Sequence, residues 1–200
     1  MMESGDIDLV VASTRVGLYI YDNDGTGQFT RRTVDIGPFA DKPVFNAVLA
    51  DTDNDGWLDL ILATYLQGNH LVSNTDGRFD FAGAVALPAP PDAILTMSMA
   101  LADPDRDGDL DIALGQWAAG WYREIPGEES RNHILWNDDG AFTRLTPLPG
   151  VPGETLSILF SDIDLNGTAD LLVGNDFSPP DYVYLGDGAG GFDMVTRASG

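Results

Sequence analysis

Apolar runs of five to eight residues, rich in Val, Ile, Leu, Phe and Tyr, recur along the chain between clusters of Gly, Asn and Asp. No stretch keeps apolar residues at i, i+3, i+4 and i+7, so the pattern predicts short strands joined by hairpin turns and little helix. The runs repeat in a set order. A first apolar stretch, VFNAVLA (44–50), ILTMSMALA (94–102) or TLSILFS (155–161), leads into an acidic loop. A second run follows: LDLILATY, LDIALGQW or ADLLVGN. A third piece ends in a turn and an aromatic, as in LYIYDNDGTGQF (18–29), HLVSNTDGRF (70–79), HILWNDDGAF (133–142) and YVYLGDGAGGF (182–192), and a fourth short piece closes the unit.

Three segments align without gaps: ADTDNDGWLDLILAT from Ala50, ADPDRDGDLDIALGQ from Ala102 and SDIDLNGTADLLVGN from Ser161. Their leading carboxylates, Asp51, Asp103 and Asp162, are offset by 52 and 59 residues. A truncated copy, GDIDLVVAS from Gly5, places Asp8 where the next copy has Asp59. Four short strands in a unit of about 50 residues is the size of a propeller blade. The expected fold is therefore all-β: a β-propeller region over residues 1–200, built from four-stranded antiparallel blades. The blades are expected at about 1–36 (partial), 44–87, 94–148 and 155–197. By this count the first blade lacks its first strand and acidic loop. The last blade ends where another upstream strand is due. An unclosed end exposes a sheet edge, so the chain reads as part of a larger propeller rather than a four-bladed ring.

Composition sharpens this picture at one point. The chain has 200 residues, 44% of them hydrophobic, enough to bury a substantial core. Its 32 Asp and Glu against 10 Lys and Arg give a net charge of −22. That disfavours nucleic-acid partners and insertion at anionic membranes, both of which call for a cationic surface. Fourteen of the 32 carboxylates fall within three nine-residue windows and the partial copy. With no cysteine there is no disulfide framework, zinc–thiolate site or thiol nucleophile. No apolar run reaches the length of a membrane-spanning helix. The opening residues show no basic region or cleavage site, which carries no weight in a chain expected to begin inside a repeat.

Acidic side chains stand at loop positions 1, 3, 5 and 9, with Gly at position 6. Alternation aims positions 1, 3 and 5 to one side of a tightly turning backbone, and Gly accepts a positive φ there. Position 9 belongs to the next strand. Two carboxylates about 4 Å apart repel by roughly 4 kcal/mol at an effective dielectric near 20, so the cluster calls for a cation. An oxygen-only ligand set without His or Cys selects a hard ion, and its number and looseness suit Ca2+ better than Mg2+. Three sites are expected. The first is Asp51, Asp53, Asp55 and Asp59 with the Trp57 carbonyl. The second is Asp103, Asp105, Asp107 and Asp111 with the Asp109 carbonyl. The third is Asp162, Asp164, Asn166 and Asp170 with the Thr168 carbonyl, expected to be weakest because Asn166 is neutral. Solvated Asx-rich turns are the alternative for any single copy; threefold recurrence of the same positions argues against it. An EF-hand is excluded, because position 12 is Leu62, Leu114 or Val173 where that loop needs Glu.

The pattern D-x-D-x-[DN]-G-x-x-D followed by an N-x-D-G-x-F-like hairpin resembles the FG-GAP/VCBS repeat, the blade unit of integrin-α-like propellers. NHILWNDDGAFTRLT (132–146) and ADLLVGNDFSPPDYVYLGDGAGGF (169–192) are similar to the cartilage-acidic-protein-like, ASPIC/UnbV-associated branch. The resemblance implies a secreted or cell-surface propeller with Ca2+ in the loop between the first two strands of each blade, serving extracellular adhesion or recognition. It implies no agreed catalytic activity. The alternative is the propeller region of a secreted polysaccharide-active enzyme. Asn166 and the absent first loop depart from the family pattern.

Other motifs add little. GDGAGG (186–191) spells G-x-G-x-x-G, but the helix a dinucleotide site needs does not follow. Asn166-Gly-Thr168 matches a glycosylation sequon inside a metal loop and is read as coincidence. His70 and His133 both follow an Asn at the start of a third strand, which marks a structural repeat position, and no Ser/His/Asp set is identifiable. Two rim loops are candidate protein or glycan contacts: residues 117–131, with Trp117, Trp121, Tyr122 and Arg123, and residues 175–181, NDFSPPD. The simpler expectations are aromatics packed on the blade rim for the first and a Pro-stiffened turn for the second.

Overall fold

The antiparallel sheets follow the apolar runs. The computed structural model describes residues 7–118 and 127–196, and the chain divides into two units, residues 1–87 and 88–200. Among the described residues there is no α-helix, only short 3-10 turns at Gly37–Phe39 and Glu128–Ser130.

The first unit holds a three-stranded sheet of β1 (Leu9–Ser13), β2 (Gly17–Asn23) and β3 (Phe29–Arg31). Its four-stranded sheet runs β4 (Val44–Ala50), β5 (Asp59–Thr64), β6 (Gly68–Val72) and β9 (Val85–Ala86), with a small hairpin of β7 (Asn74–Thr75) and β8 (Arg78–Phe79) between. The second unit holds two four-stranded sheets in chain order. One is β10 (Leu95–Ala102), β11 (Asp111–Trp117), β12 (His133–Trp136) and β13 (Arg144–Pro147). The other is β14 (Glu154–Ser161), β15 (Asp170–Asp176), β16 (Tyr182–Gly186) and β17 (Phe192–Met194). Each sheet is an up-and-down meander of the kind a propeller blade uses. The N-terminal sheet has three strands, and β1 matches the second strand of the others.

Burial explains why the second strands of the two middle blades read as continuous apolar runs. Every residue of β5 is buried, as are the first six of β11, because neighbours cover both faces. Leu60, Leu62 and Val72 join Leu18, Ile20, Phe39 and Phe81 in the core of the first unit. In the second unit Ala113, Ile134 and Trp136 pack with Ile158, Leu171 and Tyr184, so its two blades share one core. Gly115 permits this approach: a Cβ there would lie 2.8 Å from the Thr155 methyl and 3.2 Å from the Ser98 carbonyl. The first strands each carry a register shift at the matching place, Val44/Asn46, Thr96/Ser98 and Thr155/Ser157. Such a bulge adds local twist.

The loops joining first and second strands are residues 51–58, 103–110 and 162–169. These are the three acidic loops, hereafter loops one, two and three.

Candidate metal centres

Each loop is wound by its own side chains. The position-1 carboxylate accepts two successive backbone N–H groups. Asp51 takes Asp55 and Gly56 at 3.1 and 3.0 Å, Asp103 takes Asp107 and Gly108 at 3.1 and 3.1 Å, and Asp162 takes Asn166 and Gly167 at 3.0 and 3.0 Å. The position-5 side chain accepts the N–H of position 7: Trp57 to Asp55 at 2.7 Å, Asp109 to Asp107 at 2.9 Å, Thr168 to Asn166 at 2.7 Å. Such side-chain-to-backbone bonds are what makes Asp and Asn turn residues. Gly56, Gly108 and Gly167 have φ of 90°, 100° and 82°. Position 4 is left-handed too, at Asn54 (59°), Arg106 (62°) and Leu165 (61°), a conformation that costs a residue with a Cβ roughly 1–2 kcal/mol.

Position 9 opens the second strand and does something the sequence does not announce. One oxygen of this Asp accepts the backbone N–H at the end of the third strand. The pairs are Asp59 with Asn74 (2.8 Å), Asp111 with Asn137 (2.8 Å) and Asp170 with Gly186 (2.9 Å). The partial blade keeps the same bond, from Asn23 to Asp8 at 2.9 Å. In three blades the Asn amide donates back to the carbonyl preceding the Asp: Asn23 to Ile7, Asn74 to Leu58 and Asn137 to Leu110, at 3.0, 2.8 and 3.3 Å. In the last blade a Cβ on Gly186 would meet the Ala169 carbonyl at 2.2 Å, so glycine fills the place of that amide. The Asn that begins the hairpin turn in three blades is the sequence signal for this clip.

The second oxygen of position 9 separates the loops. In loop one, Asp59 Oδ2 accepts the Thr52 N–H at 3.2 Å and the Thr52 hydroxyl. In loop three, Asp170 Oδ2 accepts the Ile163 N–H at 2.7 Å. The equivalent residue in loop two is Pro104, which has no N–H to give. Asp111 is 0% exposed, and its Oδ2 has no hydrogen-bond partner; nor has Asp105 Oδ1. Buried polar oxygens are nearly always partnered, so such orphans point to a missing ligand. Burial pushes the Asp111 carboxyl up to about 7; the Asn137 N–H opposes this, while Asp105, Asp107 and Asp103 add to it. Asp53 and Asp105 are likewise raised, by burial first and neighbouring carboxylates after it. The Thr52 hydroxyl is the simplest part to test. Thr52→Val removes a buried donor to a carboxylate and is expected to cost about 1–2 kcal/mol in urea denaturation.

Carboxylate oxygens lie within 4.8 Å of one another in three groups: Asp51, Asp53 and Asp55; Asp103, Asp105 and Asp111; Asp162, Asp164 and Asp170. Positions 1 and 3 thus meet in every loop. Asp59, held by Thr52 and Asn74, lies outside the first group and Asp107 outside the second, while the Asn166 side chain accepts the Thr168 N–H. Of the residues expected to offer carbonyls, Trp57 and Thr168 are half-buried beside their clusters, and the Asp109 carboxylate accepts the Asp139 N–H at 2.7 Å. The donor set is all oxygen, with an orphaned oxygen in loop two, and it fits a hard cation.

Residues 3–62 and 51–114 match the profile of the FG-GAP-like repeat. The chain belongs to the FG-GAP-like repeat family. No curated protein matches the sequence. The two matched FG-GAP stretches include loops one and two; loop three lies past them and repeats their position-1 and position-5 bonds.

The remaining sequence candidates do not assemble a site. His70 meets Phe39 edge-on at 5.3 Å, and His133 Nδ1 lies 2.8 Å from the Arg131 carbonyl. Burial, reinforced by Lys42 at His70, holds both imidazoles below their usual range. Trp121, Tyr122 and Arg123 lie outside the described residues; Trp117 ends β11, half-buried. In residues 175–181, Asn175 bonds Asp181 and Pro180 at 2.8 and 2.6 Å and leaves Phe177 exposed at a φ of 61°.

Proposed function

We propose that the chain is a Ca2+-binding FG-GAP repeat module of an extracellular or cell-surface protein, serving adhesion or recognition, with calcium as a structural fastener in loops one, two and three. The observation that carries the metal reading is the buried, unpartnered Oδ2 of Asp111 beside the carboxylates of Asp103 and Asp105. Leaving a charge there without a partner costs several kcal/mol, and a divalent ion removes that cost. Loops one and three support the same reading through shared geometry, though their position-9 oxygens are already bonded. Loop two is the primary site on this view. Ligand number and flexible oxygen donors favour calcium over magnesium, which demands a tighter octahedron.

Direct binding tests it. Equilibrium dialysis at 1–10 mM calcium followed by elemental analysis is expected to find up to three ions per chain. Dissociation constants should lie in the range of about 10⁻⁴ to 10⁻³ M typical of extracellular modules. Asp103→Asn/Asp105→Asn should remove one ion. A chain that retains no calcium at 10 mM would overturn the reading.

A further inference from the structure

We propose that Arg106 couples loops two and three, so that a cation bound in loop two strengthens binding in loop three. The inference rests on the calcium reading above and concerns a residue outside the expected ligand sets.

Arg106 is the exposed position-4 residue of loop two. Its guanidinium Nη2 donates to the carbonyl of Gly167, position 6 of loop three, 61 residues away in sequence. It also lies over the turn of the β16–β17 hairpin, 3.4–3.5 Å from where a Cβ on Gly188 would stand. Gly167 separates Asn166 from Thr168, two of the residues expected to supply oxygens to the third ion. A second contact runs parallel to the first. A Cβ on Gly190 would lie 2.8 Å from the Trp136 ring and 3.4 Å from the Asp105 Cβ, so the same turn rests against the base of the Asp105 side chain in loop two. Arg144 stacks 4.2 Å over that Trp136 ring and sits 3.8 Å from Asp105. The turn starts directly after Gly186, whose N–H bonds Asp170 of loop three.

The direction of coupling follows from how loop two holds Arg106. The N–H groups that Asp103 grips belong to Asp107 and Gly108, the two residues after Arg106. An ion drawing Asp103, Asp105 and Asp111 together fixes that backbone and with it the arginine. Without the ion, mutual repulsion of the carboxylates loosens the grip, and ordering the long side chain then costs entropy. Loop three, with one carboxylate fewer, needs the brace most. Loop one has Asn54 at this position and loop three has Leu165, 85% exposed. The reach is a property of loop two.

A double-mutant cycle on the full chain tests the idea, with calcium as the probe. Loop one is silenced throughout by Asp51→Asn/Asp53→Asn. Loop-three affinity is then measured by calorimetry with loop two intact and with loop two silenced by Asp103→Asn/Asp105→Asn. In the Arg106 background, silencing loop two is expected to weaken loop three about fivefold or more, the low end of ordinary coupling between sites. In Arg106→Ala the difference should vanish. Arg106→Lys keeps the charge without the planar fork and decides the matter if the alanine variant does not fold; reduced coupling there supports the proposal. An undiminished difference in either folded variant overturns the coupling and leaves the calcium reading standing. Absence of calcium binding in the Arg106 background overturns both.

Discussion

Calcium at 10 mM is expected to raise the thermal midpoint of the chain by about 10 °C or more over the same protein in chelator. An ion that binds only the folded state stabilises it by the logarithm of its excess over the dissociation constant, about 2.7 kcal/mol per site at a hundredfold excess. Each kcal/mol shifts the midpoint of a chain of this size by roughly 2–4 °C. One well-filled site in loop two gives most of the lower figure, and loops one and three add to it. Magnesium at equal concentration should give a smaller shift, because it parts with its water reluctantly and requires stricter geometry. The measurement is a calorimetric or dye melt in chelator, calcium and magnesium. Equal midpoints in chelator and calcium would remove the structural role of the ion.

Asp111→Asn is expected to change sign with calcium. In chelator the wild-type chain buries a carboxyl oxygen that no donor reaches. Asparagine keeps an oxygen for the Asn137 N–H and turns an amide toward Asp103 and Asp105, replacing repulsion with hydrogen bonds. Relieving a partly neutral, unsatisfied carboxyl is worth about 1 kcal/mol, the low end of the usual range, so the variant should outlast wild type in urea when calcium is absent. In 10 mM calcium the order reverses. The variant forfeits one ion's stabilisation, about 2–3 kcal/mol, and drops below wild type. Destabilisation in both buffers would mean that Asp111 is only a strand clip. Asp59→Asn offers the contrast: Asp59 Oδ2 is already bonded by Thr52, so no gain in chelator is expected there.

Much of this architecture is legible in the sequence because it rests on local rules. The three gapless copies locate the turns, the apolar runs locate the strands, and Gly56, Gly108 and Gly167 mark a positive φ that glycine alone accepts freely. The adjacent left-handed position is hidden, since Asn54, Arg106 and Leu165 share no chemistry and only the backbone trace unites them. The turn Asn hints at the strand clip in three blades, but its pairing is hidden for another reason. Its partner lies 15 or 16 residues on in three blades but 26 on in the blade with the insertion, so no fixed spacing reveals it. Pro104 is the clearest case. In the chain it is one unremarked residue between two acids, and its meaning emerges once Thr52 and Ile163 are seen donating the bond that proline lacks.

The clip has a mechanical side. Because Asp8, Asp59, Asp111 and Asp170 each fasten the end of a third strand to the start of a second, tension applied along the chain loads this bond in shear before the ladder can unzip. On the proposed calcium reading, an ion reached by the same aspartate would let ambient calcium grade the force at which that blade lets go.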